Sequence, residues 1–116
     1  MRKRSEKGEQ LLERERMTLT PASGGGVLSY EVWGLVVDGR TTVTRYNLAY
    51  VNPLIFPGDN GRVLGYDNAH DGHHRHYMGK TEPVQFNSFE DTLERFQKEW
   101  QAIVHDLKLK RSQERK

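Results

Sequence analysis

The chain contains no cysteine. That excludes disulfides, thiolate nucleophiles and cysteine-type zinc sites together. Apolar residues are also scarce, at 34% of the 116 positions, and the mean hydropathy is -0.85. No apolar run approaches the roughly 20 residues of a membrane-crossing helix, and the charged N-terminal stretch has no apolar block of the kind a secretion signal carries. The expectation is a cytoplasmic protein with no membrane contact. There is no strong excess of either charge: 18 Lys and Arg stand against 16 Asp and Glu, for a net charge of +2. This balance permits contact with nucleic acid without demanding it. No internal repeat is present.

What charge there is lies unevenly. Nearly half of it falls in residues 1–16 and 108–116, leaving a middle of ordinary globular composition. Composition therefore predicts a flexible charged lead over 1–10, a single domain over 11–107 and a basic tail over 108–116. Within the domain, the later part of Leu11–Thr20 alternates as a strand, and PASGGG at 21–26 reads as a turn. VLSYEVWGLVV and TTVTRYNLAYV flank Asp38-Gly39 as two strands of a hairpin. NPLIFPGDN at 52–60 is a loop by its prolines, although Leu54, Ile55 and Phe56 either plug the sheet edge or meet a partner. TEPVQF is a short edge strand or connector, since Pro83 has no N–H for a ladder. Asn87 or Ser88 then caps a helix whose Phe89, Leu93, Phe96, Trp100, Ile103 or Val104, and Leu107 form one apolar stripe. The predicted fold class is α+β, a small antiparallel β-sheet of four to six strands packed against a C-terminal amphipathic helix.

The densest chemistry lies in Arg62–Lys80, RVLGYDNAHDGHHRHYMGK, which holds four of the five histidines. Asp71-Gly72 is a strong two-residue hairpin signal. Such a loop pairs Asp67 with His76 and Tyr66 with Tyr77. It puts Asp67, His74, His76 and Lys80 on one face, and Leu64, Tyr66, Tyr77, Asn68 and Arg75 on the other.

Several segments in order, YEVW (30–33), RYNLAYV (45–51), GYDNAHDGHHRHYMGK (65–80), EPVQF (82–86) and the helix beginning NSFEDTLERF, resemble the TumE-type family of bacterial toxins. The resemblance runs from Leu11 to about Leu107 and implies a toxin of a toxin-antitoxin pair, with an antitoxin protein as partner. Its shared features are the basic residue before Tyr46, Tyr66-Asp67-Asn68, His74-Arg75-His76 and a Glu-Pro before Phe86. This chain has Gly65 and Gly34 where the family often carries Arg, and its His70 and His73 are additional.

The residues suit a metal-independent endoribonuclease with no cofactor. Cleavage of RNA through its own 2′-hydroxyl needs a base, an acid and cations for the phosphorane charge, and imidazole suits the first two roles. The candidates are His74 and His76 as the acid-base pair, with Asp67 orienting His76. Arg45, Arg75 and Lys80 are candidate phosphate contacts, while Tyr66 and Asn68 are candidates for meeting the base. One alternative is a metal site drawn from His70, His73, His74 and His76. Another is a non-enzymatic module for nucleic acid or protein, using the basic ends. The plainest is that the histidines are polar hairpin residues and Asp67-Asn68 is turn chemistry. A homo-oligomer is left open.

Overall fold

A computed structural model describes residues 8–114. Among the described residues, six strands, β1 (Glu9–Thr18), β2 (Val27–Val37), β3 (Arg40–Val51), β4 (Arg62–Asp67), β5 (His74–Tyr77) and β6 (Lys80–Pro83), precede a long C-terminal helix, α1 (Phe89–Glu114). Every neighbouring pair is antiparallel, and the order across the sheet is the order along the chain. The chain is therefore a six-stranded meander covered by a C-terminal helix, an α+β fold. Most of the lead expected over 1–10 lies outside the described residues, as do 115–116, and α1 continues through 108–114.

Two tight turns set the strand pairings. Asp38 and Gly39 have φ of 51° and 76°, and Met78 and Gly79 have 47° and 85°. Both central residues of each turn thus take the left-handed geometry that matches strand twist. Alternation along the strands then sorts the two faces. Leu28, Tyr30 and Val32 of β2, Tyr46, Leu48 and Tyr50 of β3, and Leu64 and Tyr66 of β4 are buried on one face. The helix lays its stripe over them, with Phe96 and Val104 fully committed and Phe89, Leu93, Trp100 and Ile103 half-buried. Phe96 meets Tyr30 edge-on, with ring centroids 5.7 Å apart. Burying such a ring contributes about 1.5–3 kcal/mol. Ser88 caps the helix, its Oγ accepting from the Asp91 N–H at 3.0 Å.

The 52–61 loop divides its apolar residues. Ile55 and Phe56 pack against the core, whereas Leu54 is 90% exposed. The buried Asn52 side chain donates to the Tyr50 hydroxyl at 3.2 Å and to the Gly24 carbonyl at 3.4 Å. That loop and the Gly24–Gly26 turn are thereby fastened to the same end of the sheet.

The central hairpin differs from the sequence expectation. Asp67 pairs with His74, Tyr66 with Arg75, Gly65 with His76 and Leu64 with Tyr77. The connection is six residues long, not two, because neighbours capture both of its ends. The Asn68 side chain accepts from Tyr46 N–H at 3.0 Å and donates to the Thr44 carbonyl at 2.9 Å, fixing it to β3. His73 is taken by Val84, whose N–H donates to the His73 carbonyl at 3.0 Å. The pairing has moved by two residues, an even number, so Asp67, His74 and His76 still share a face. Lys80 does not join them. The Met78-Gly79 turn reverses the chain and sets Lys80 opposite Tyr77, on the helix side, leaving Thr81 opposite His76.

Candidate functional site

The face of the sheet away from α1 carries the chemical residues. A cavity of about 390 Å³ opens there, lined by Arg62, Asp67, His70, His74, His76 and Thr81. Asp67 and His76 lie diagonally across β4 and β5, with Nε2 to Oδ2 at 2.8 Å and both side chains mostly buried. A carboxylate only accepts, so this contact places the imidazole proton on Nε2. The lone pair of Nδ1 then faces Thr81 Oγ1 at 3.1 Å and Arg62 Nη2 at 3.2 Å. Asp67 is itself held in place by the Ala69 N–H, which donates to Oδ1 at 3.2 Å. His74, directly opposite Asp67, projects into the same cavity two residues from His76.

Arg62 is the cation that lines this cavity, and little in its local pattern pointed to that role. Its Nε donates to Asp59 Oδ2 at 2.8 Å, and its Nη1 lies 3.8 Å from Asp67 Oδ2. Its arm crosses Gly65, where a Cβ would come within 2.9 Å of Arg62 Cδ. A bulge in the pairing at Tyr50/Val51 carries Arg62 to this face, and only the missing side chain at Gly65 hints that something lies above it.

The other candidates lie elsewhere. Arg75 is on the helix side, where Glu99 accepts from Nε at 3.2 Å and from Nη2 at 2.5 Å, and Glu82 accepts from Nη1 at 2.9 Å. These bonds, led by those to Glu99, raise the guanidinium pKa above its ordinary value. Tyr66 is buried, and its hydroxyl donates to the same Glu99 carboxylate. Burial first, then the Glu99 charge, pushes the Tyr66 pKa up to about 12. For Glu99, burial alone would raise the pKa, but the bonds from Arg75 and Tyr66 prevail and lower it. Asn68 ties β4 to β3. His73 stacks on Phe86, 3.9 Å away by centroid, and its Nδ1 meets the Tyr46 hydroxyl at 2.8 Å. His73 is thus apart from the other three histidines, and among the described residues no group of three His, Asp or Glu side chains is placed to hold a metal ion.

Arg45 lines a second cavity, of about 140 Å³, with Glu31, Trp33 and Asn47, and this cavity shares Asp67 and Ala69 with the first. The Arg45 guanidinium lies 4.6 Å from the centre of the Trp33 ring, and Glu9 Oε1 accepts from it at 3.3 Å. The Trp33 indole N–H donates to Glu31 Oε1 at 3.1 Å, and Arg14 Nε donates to Glu31 Oε2 at 3.0 Å. These two donors, Trp33 foremost, hold the Glu31 carboxyl below its ordinary pKa.

Among the described residues, no helix is long and apolar enough to cross a membrane. No curated protein and no solved structure matches the chain. The family described as Toxin TumE matches residues 25–104, which span β2 to most of α1 and include both cavities. With more than half of its length matched, this chain belongs to the TumE toxin family and is the toxin component of a toxin-antitoxin system.

Proposed function

We propose that this toxin is a metal-independent endoribonuclease whose active site is the cavity over β4 and β5. The observation that carries the reading is the Asp67-His76 pair, which turns the Nδ1 lone pair toward Thr81 and Arg62 in the cavity. Geometry of this kind suits a general base, whose acceptor nitrogen must be fixed in direction before it meets a proton. The 2′-hydroxyl of RNA takes the place of Thr81 Oγ1 at Nδ1 and gives up its proton. The 2′-oxygen attacks the adjacent phosphorus, and Arg62 neutralises the charge that builds on the non-bridging oxygens.

His74 supplies the proton for the leaving 5′-oxygen as the P–O5′ bond breaks. The products are a 2′,3′-cyclic phosphate and a free 5′-hydroxyl. With a rise of about 3.3 Å per residue, the two histidines stand roughly 7 Å apart along β5, so they address opposite sides of one phosphate. Arg75 and Lys80, on the helix side, take no part in this arrangement. An antitoxin that covers the cavity would silence the enzyme without altering the fold.

The test is incubation of the purified protein with total bacterial RNA in excess EDTA, beside His74→Ala, His76→Ala and Arg62→Ala. The expected result is cleavage that persists in EDTA, leaves cyclic phosphate ends and falls by about 10²- to 10⁴-fold in each histidine variant. RNA left intact by the parent protein, with or without divalent metal, would overturn the proposal.

A further inference from the structure

The open face of the sheet extends well beyond the histidine cavity. Residues in register form two rows across it: Arg14, Glu31, Asn47, Asp67 and His74, then Arg16, Ser29, Ala49, Gly65 and His76. In the second row the three central positions are small, so a shallow trough runs from β1 toward β5, with the arm of Arg62 lying across it over Gly65. At about 4.8 Å between strands, it is roughly 19 Å long. The ERER run at 13–16 sorts its charge by alternation. Arg14 and Arg16 fall on the trough side, while Glu13 and Glu15 pair with Val32 and Tyr30 on the helix side. Arg16 and Arg62 make the trough basic, Arg14 is paired with Glu31 at 2.9 Å, and the Trp33-Arg45 stack lies just beyond the row that holds Glu31 and the exposed Asn47 amide.

We infer that this trough binds single-stranded RNA, with one nucleobase seated on the Trp33-Arg45 stack of β2 and β3, across β4 from the scissile phosphate at β5. This rests on the ribonuclease reading for the phosphate's position and adds the substrate class and a base-binding subsite. A base continues a stack of indole and guanidinium planes, and the Asn47 amide offers a donor and an acceptor to its edge. A duplex presents no free base face, so it is excluded from the subsite. Arg14 and Arg16 lie along the path of the backbone as it leaves β2 and contribute the salt-dependent part of the affinity.

The probe is a labelled single-stranded RNA with 2′-O-methyl groups, which lacks the attacking hydroxyl, titrated with the full chain by fluorescence anisotropy across a salt series. Trp33→Ala is expected to weaken binding on the order of tenfold, with Trp33→Phe keeping most of it. Arg14→Gln with Arg16→Gln is expected to reduce the magnitude of the log-log salt slope by about 1.4, from roughly 0.7 per phosphate contact. Removing two helix-side charges, Lys98→Ala with Lys108→Ala, leaves the slope unchanged. Binding and slope unaffected by both sets of trough variants would overturn the inference, as would a duplex binding as tightly as the single strand. Because the probe cannot be cleaved, loss of the ribonuclease reading leaves this outcome readable. Conversely, cleavage with no dependence on Trp33 would retain the enzyme and refute the trough.

Discussion

Glu99→Gln offers a direct measure of what joins the helix to the hairpin. The Glu99 carboxylate accepts from two nitrogens of Arg75 and from the buried Tyr66 hydroxyl. An amide in its place keeps one oxygen for Arg75 but turns an N–H toward donors. Hydrogen bonds to a charged group contribute about 1.5–3 kcal/mol and exposed ion pairs 0–1 kcal/mol. The Arg75 and Glu99 side chains are 23% and 32% exposed, between those limits, so the expected loss is about 2 kcal/mol at neutral pH. At about 4–8 °C per kcal/mol for a domain of this size, the melting temperature should fall by roughly 10 °C.

The pH dependence carries a sign. The Glu99 pKa is lowered below its ordinary value of 4.5, so the network's contribution is complete above that value and is lost as pH falls through the folded pKa. The gap between parent and variant should therefore narrow as the solution is acidified from neutral to about pH 3. Thermal melts monitored by circular dichroism across that range decide the matter. A variant within about 0.5 kcal/mol of the parent at pH 7, or a gap that widens on acidification, would refute the reasoning.

Two glycines give contrasting expectations. Gly65→Ala sets a Cβ 2.9 Å from Arg62 Cδ and 3.3 Å from the Leu48 carbonyl. Arg62's flexible arm yields, stability changes by about 1 kcal/mol or less, and RNA cleavage falls at least about tenfold; unchanged cleavage would remove Arg62 from the site. Gly24→Ala combines φ of 111° with a Cβ 2.5 Å from a Val104 methyl, so a denaturant titration should show a loss of about 3 kcal/mol, partly restored by Val104→Ala in the same chain.

The sheet and helix were legible because each rests on local periodicity: alternation in β2 and β3, and the three-and-four spacing of Phe89, Leu93, Phe96 and Trp100. The hairpin was legible by face and not by register. Asp71-Gly72 signalled a two-residue turn, but Asn68 and His73 bond to residues distant in sequence, and no local rule reveals that competition. Lys80 changed face for a local reason that could have been read, since Met78-Gly79 also fits a tight turn. Arg62 was hidden, because its position depends on a bulge opposite Val51 and on empty space over Gly65. Arg75 stands between two histidines in the sequence, and only the docking of α1 and the pairing of β6 show that Glu99 and Glu82 take its donors.

β5 is four residues long, yet it has neighbours on both edges and a helix anchored to one of its faces through Arg75. Hydrogen-bonded strands flanked in this way open together with the rest of the sheet instead of fraying on their own. The candidate catalytic imidazoles are thus carried by part of the cooperative folding unit, and their relative positions persist for as long as the domain does.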